Sequence, residues 1–167
     1  MHTGELILVV GLPGTGKTTF AYALSKAISA KHLNSDIMRH DIGKRRQYDT
    51  ASKAIIYNEM LNRTENFLKN HQKVIVDATF YKNIFRKPYE LLSEKYNTEI
   101  KWIEIKASEE VIEKRVNKKR EYSEADFEVY KKIKKDYEPL DHANLILWSD
   151  QLPIDEMVEQ AKKILML

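Results

Sequence analysis

Five apolar residues, Leu6 to Val10, run straight into Gly11-Leu12-Pro13-Gly14-Thr15-Gly16-Lys17-Thr18, and no other stretch limits the possible folds so tightly. An unbroken apolar run of that length reads as a strand buried on both faces. The eight residues behind it fit the pattern G-x-x-x-x-G-K-[ST] in full, and helical periodicity sets in from Lys17. Each residue type has a physical reason. Gly11, Gly14 and Gly16 permit backbone angles and close approaches that side chains block. The amides between them turn inward as a nest for phosphate oxygens, at the positive end of the following helix. Lys17 is suited to the β- and γ-phosphates of a nucleotide, and Thr18 can give a hydroxyl to Mg²⁺. Thr19 is suited to the α-phosphate. The candidate nucleotide site is therefore Gly11, Leu12, Pro13, Gly14, Thr15, Gly16, Lys17, Thr18 and Thr19, with ATP and Mg²⁺ as its ligands.

Apolar strands alternate with helical stretches along the rest of the chain. Strands are expected at residues 5–10, 31–34, 73–77, 99–105 and 145–148. Helices are expected at 17–30, 36–43, 51–70, 84–96, 108–120, 124–137 and 154–165. In the first helix Phe20, Leu24, Ala27 and Ile28 face inward, and Ser123 with Asp126 reads as a capping box for the 124–137 helix. Strands separated by helices predict a parallel sheet covered on both faces. The fold class is α/β: a three-layer α/β/α sandwich of the P-loop type, with a central five-stranded parallel sheet and a helical lid. One domain spans residues 1–167, and the 5–10 strand is expected at its centre. Phe127, Tyr130, Ile133 and Tyr137 recur at helical spacing and read as core, as do Trp102 and Trp148 in their strands.

Composition excludes several function classes. The chain has no cysteine, which rules out disulfides and thiolate metal sites and fits a reducing cytoplasm. No apolar run is long enough to cross a bilayer, and the first residues lack the pattern of a signal peptide. His2, His32, His40, His71 and His142 show no ligand spacing, so a histidine-based zinc site is not expected. The net charge is +3 with 28 Lys and Arg, a balance that reads as a solvated surface before a polyanion-binding face.

Two further elements carry chemistry. Asp77 closes the strand 73–77, and ligands of open parallel sheets sit at the carboxyl ends of strands. There it can hold Mg²⁺ beside Thr18, directly or through water, or contact an acceptor; its structural alternative is a helix cap. In the helix 36–43, Asp36, Arg39, His40 and Gly43 share one face, with Ile37, Met38 and Ile42 toward the core. Asp36 can take a proton from an attacking hydroxyl. Arg39 can hold an anionic part of the acceptor or the phosphoryl group in transfer. An N-capping Ser35 or Asp36 with an ordinary i,i+3 ion pair explains the same residues without function. Arg115 lies beside the apolar stripe of its helix, and Arg120 lies in the loop that follows. Residues 115–137 read as a lid whose arginines reach the nucleotide.

Gly11 to Thr19, Ser35 to Arg39, Val74 to Thr79 and the pair Arg115 and Arg120 occur in the order seen in small P-loop kinases of the AAA type. The chain resembles that group, which includes the 5′-hydroxyl kinase domain of phage-type polynucleotide kinase. Zeta-toxin and gluconate-kinase families are more distantly similar. The resemblance implies an ATP-dependent phosphotransferase with Asp36 as general base, Arg39 as the acceptor-side arginine and Arg115 or Arg120, or Lys119, as lid cations. Asp77-Ala78-Thr79 departs from the Asp-Thr-Asn of the phage enzymes, which leaves the acceptor open. A polynucleotide 5′-hydroxyl, a sugar, a nucleoside and an antibiotic are the alternatives within that activity. A nucleotide-dependent switch is the alternative outside it.

Overall fold

The structure is a computed structural model and describes residues 4–118 and 125–167. Five strands, β1 (Leu6–Val10), β2 (Lys31–Asn34), β3 (Val74–Ala78), β4 (Ile100–Lys106) and β5 (Leu145–Trp148), form one sheet in the order β2-β3-β1-β4-β5. Every neighbouring pair is parallel. The α/β expectation holds, with β1 in the centre. Parallel strands need crossovers, and the helices supply them: α1 (Lys17–Ala27), α2 (Ser35–Asp41), α3 (Thr50–Lys69), α4 (Asn83–Tyr96), α5 (Glu109–Val116), α6 (Phe127–Lys135) and α7 (Ile154–Leu165).

The alternation of side chains along β1 builds two cores. Leu6, Leu8 and Val10 join Ile56, Met60 and Tyr89 on one face, while Ile7 and Val9 join Phe20, Leu24 and Ala161 on the other. All five β1 residues are fully buried, which is why the strand carries no polar residue. A third, smaller cluster joins α5 to α6 through Ile112, Val116 and Tyr130, with Leu12 of the glycine-rich loop packed against it.

Several boundaries differ from the sequence reading. Helix α1 stops at Ala27 because Ser29 adopts a left-handed backbone (φ 55°), and the amide of Ala30 turns back to the carbonyl of Ser25. Its buried face is Phe20, Ala21, Leu24 and Ser25, while Ala27 is exposed. Helix α6 begins at Phe127, and Asp126 is itself the cap, accepting from the amide of Val129 at 3.0 Å. Lys119, Arg120 and Ser123, all given roles above, lie outside the described residues. Trp102 is buried as expected, but Trp148 is 38% exposed on the edge strand.

Candidate active site at the carboxyl edge of the sheet

The loop after β1 is held by its own geometry and by two remote segments. Thr15 Oγ1 donates to the carbonyl of Leu12 at 2.8 Å, closing the turn. Gly14 has φ 81°, and a Cβ there would stand 2.7 Å from Val116 Cγ1, so both backbone and packing demand glycine. A Cβ on Gly11 would stand 2.7 Å from the carbonyl oxygen of Ile105, because β4 passes directly behind the loop. Ser149, just past β5, donates to the carbonyl of Thr15 at 2.5 Å. Arg115 donates to Ser149 Oγ at 2.8 Å and to the carbonyl of Gly14 at 3.2 Å. The arginine beside the α5 stripe therefore has its partners in the loop itself. Ser149 is a member of the site that the sequence reading did not contain.

Beside the loop, β2 and β3 bring a polar cluster together. Asn34 and Asp77 are register partners across the two strands. The Asn34 side-chain nitrogen donates to Asp77 Oδ2 at 2.7 Å and to Thr18 Oγ1 at 3.1 Å. His32 Nε2 lies 3.1 Å from the same Asp77 oxygen. The other end of the Asn34 amide accepts from the amide of Ile37 at 2.8 Å, so this residue caps α2 in place of Ser35 or Asp36. Asp77 is fully buried, and its Oδ1 has no hydrogen-bond partner among the described residues. A buried carboxylate oxygen left open beside a threonine hydroxyl is a hard-oxygen donor set that fits Mg²⁺. Among the described residues no group of three His, Cys, Asp or Glu could hold a metal alone. Neither Asn34 nor His32 was expected here.

Helix α2 then directs two side chains inward. Arg39 is 7% exposed and donates from Nη1 to Asp36 Oδ1 at 2.7 Å, while its guanidinium lies 4.5 Å from the ring centre of Tyr48. The Asp36–Arg39 pairing matches the expected spacing. His40 does not join it: its side chain is half exposed, 3.7 Å from Asp41. Gly43 lies beyond the end of the helix, and Ile37 is only half buried. The helix has two turns; Met38 is buried as expected, and Arg39 is buried beside it.

Lys17, Asp36 and Arg39 line one cleft that opens to solvent. Ser35, Tyr48, Lys53, Tyr57, Thr79 and Tyr81 add further polar groups to its wall. Ala125 and Ile133, flanking and within α6, border it from the segment expected to be a lid. Tyr57 Oη and Thr79 Oγ1 are 3.2 Å apart, and the amide of Phe80 donates to Tyr57 Oη at 3.2 Å. Burial pushes the Tyr57 hydroxyl up to about 12, so it stays protonated at neutral pH. Lys53 donates to Tyr81 Oη at 2.9 Å. Behind this wall the buried Arg86 donates to the carbonyls of Phe80 (2.7 Å), Glu138 (2.5 Å) and Pro139 (3.1 Å) and to Asn83 Oδ1 (3.0 Å). It thereby ties the 80–83 turn to the segment after α6.

A parallel sheet whose central strand feeds a G-x-x-x-x-G-K-[ST] loop into a helix defines a P-loop domain. A family model described as "AAA domain" (AAA_33) matches residues 6–140, and the chain belongs to that family. The L-seryl-tRNA(Sec) kinase of Methanococcus maripaludis is 30% identical over 115 residues, 66% of this chain. The chain spans only 44% of the length of that relative. Among solved structures, the Mycobacterium tuberculosis APS kinase in complex with AMPPNP and APS superposes with a TM-score of 0.78 at 17% identity, covering 100% of both chains. A gluconokinase from Sinorhizobium meliloti superposes with a TM-score of 0.71 at 16% identity, covering 99% of this chain and 94% of that one. At such identities the likeness is one of fold. No helix among the described residues is long and apolar enough to cross a membrane.

Proposed function

We propose that this protein is an ATP-dependent phosphotransferase that moves the γ-phosphate onto an acceptor hydroxyl. The observation that carries this reading is the meeting of Lys17 with the Asp36–Arg39 pair in one cleft. Gly11 to Gly16 receive the donor's phosphates on their amides, Lys17 spans the β- and γ-phosphates, and Thr19 faces the α-phosphate. Thr18 and Asp77 hold the Mg²⁺, which when bound neutralises charge on the phosphate oxygens. Asp36 accepts the proton of the acceptor hydroxyl as that oxygen bonds to the γ-phosphorus. The bond to the bridging oxygen breaks, and ADP leaves. Arg39 orients Asp36 and meets the equatorial charge. Arg115, with Arg120 beyond the described residues, closes α5 and α6 as a lid over the nucleotide and excludes water. A cytoplasmic setting, where ATP is supplied, goes with this reading.

The relatives named above are all kinases, which supports transfer over a switch role. A switch needs a water-positioning group but no acceptor cleft with its own base. A polynucleotide 5′-hydroxyl and a small polar alcohol both remain acceptors of the right chemistry. The test is transfer of labelled γ-phosphate to 5′-hydroxyl DNA and RNA, to sugars and to nucleosides. Labelling of one class, abolished in Lys17→Ala while the fold is kept, is the expected result. Nucleotide-dependent affinity for a partner protein, with no acceptor labelled, would replace the transferase by a switch.

A further inference from the structure

We propose that the acceptor carries an anionic group of its own, received by the Lys53 ammonium in the cleft that holds Asp36. The proposal rests on the phosphotransferase reading for the word acceptor, but not for the binding site. Among the described residues, the cleft is lined by the cations Lys17, Arg39 and Lys53 and by one carboxylate, Asp36. Lys17 belongs to the phosphate loop, and the 2.7 Å bond between Arg39 and Asp36 balances that pair. Lys53 is left over. Its ammonium donates to the hydroxyl of Tyr81, and no carboxylate of the described residues stands within ion-pair distance of it. Lys87, Lys95, Lys114 and Lys162, all on the surface, each sit against a glutamate, whereas Lys53 lies half buried in the cleft wall. A half-buried ammonium without a counter-charge is costly unless a ligand supplies one.

Arg39 points to the same chemistry. It is over nine-tenths buried, one of its nitrogens is spent on Asp36, and its Nε has no hydrogen-bond partner among the described residues. A second cation with an unspent donor thus lines the same cleft as an ammonium that has two hydrogens to spare. The ring of Tyr48 lies 4.5 Å from the Arg39 guanidinium and that of Tyr81 lies 4.8 Å from the Lys53 ammonium, so aromatic faces hold both cations at the cleft wall. The ligand class is therefore a hydroxyl compound bearing a phosphate or carboxylate. It could be a nucleotide-like end, a sugar phosphate or a hydroxy acid, and matched pairs separate these sources.

The experiment is calorimetric titration of the full chain saturated with a non-hydrolysable ATP analogue and Mg²⁺, so that the phosphate loop is filled. The probes are adenosine against adenosine 3′-phosphate, ribose against ribose 5-phosphate, and glucose against gluconate. At least one anionic member should bind about ten- to a hundredfold tighter than its neutral partner, the range of a charge-assisted hydrogen bond. Lys53→Gln should remove that preference, and Lys53→Arg should keep most of it. Equal binding within every pair, no binding by any probe, or a preference that survives Lys53→Gln overturns the proposal. Phosphate transfer is scored separately. Binding through Lys53 without transfer sinks the kinase reading and leaves this site standing. Transfer to a neutral member that Lys53→Gln does not slow does the opposite.

Discussion

Asp36 Oδ1 and Arg39 Nη1 are 2.7 Å apart on adjacent turns of α2, and the arginine is the more deeply buried of the two. The carboxylate is thereby fixed by a guanidinium, while its second oxygen can face the cleft. On the phosphotransferase reading, Asp36→Asn keeps the shape and removes the basicity. Transfer should fall by about 10²- to 10⁴-fold, with ATP affinity close to that of the parent. Single-turnover rates set against direct nucleotide titration separate the two effects. A parent-like rate would move the base elsewhere.

Asn34→Ala strips the cap from α2 and removes one of the two partners of a buried carboxylate oxygen. The two losses together should cost about 2–3 kcal/mol in urea unfolding. Mg²⁺-dependent nucleotide affinity should drop as well, since Thr18 and Asp77 lose the nitrogen that holds them together. Asn34→Ser, which can still cap but cannot reach both, should recover part of the stability and little of the affinity.

Gly14→Ala forces a side chain onto φ 81° and against Val116 and Ile112. The backbone strain alone is worth about 1–3 kcal/mol. Because the obstruction is the inner face of α5, the substitution should loosen the loop from that helix. Lower thermal stability together with weakened nucleotide binding is the expected pair of results.

Arg115→Ala releases two carbonyl-bearing segments at once, the loop at Gly14 and the turn at Ser149. Nucleotide affinity should fall about tenfold or more, the scale of one charge-assisted hydrogen bond. ATP should also protect residues 115–137 from protease in the parent and much less in the variant. Equal cleavage of the parent with and without ATP would argue against a closing lid.

Acid stability offers a test away from the cleft. Hydrogen bonds from Lys95 and Tyr96 hold the Glu65 carboxyl down at about 2, well below its ordinary value of 4.5. Its folded pKa is depressed, so its contribution is present above pH 4.5 and is lost as the pH falls toward 2. Glu65→Gln should therefore flatten the acid limb of the stability curve between those limits. Unfolding midpoints measured from pH 2 to 6 would reveal it, and an unchanged slope would refute it.

The parts legible in the sequence are those governed by neighbours in the chain. The glycine-rich loop is a local pattern, and the alternation of strands and helices fixed a parallel sheet with β1 inside. Asp36 and Arg39 lie three residues apart and meet as expected. Asn34 was missed because its role exists only once β2 pairs with β3 and brings it opposite Asp77. Ser149 lies 134 residues from the carbonyl it bonds, and no local signal marks it. Tyr48, Lys53 and Tyr81 read as ordinary surface and core residues until the chain gathers them round one cleft. His40 was grouped with Asp36 by helical offset alone, but in a two-turn helix, packing decides which neighbour turns inward. The early end of α1 followed from a left-handed Ser29, a conformation its residue type does not announce.

The position of β1 also sets an order of loosening. Its ladder is bonded on both sides, to β3 and to β4, and none of its residues meets solvent. β2, which leads into Asn34 and α2, has a single neighbour and begins at the exposed Lys31. Backbone amides of β1 should thus exchange their hydrogens last, through global unfolding, while those of β2 and α2 exchange through smaller openings. The phosphate loop is rooted in the least yielding strand of the protein, and the helix carrying Asp36 is rooted at a margin. On the phosphotransferase reading, the acceptor side can then breathe, to admit or release a molecule, without slackening the grip on the donor.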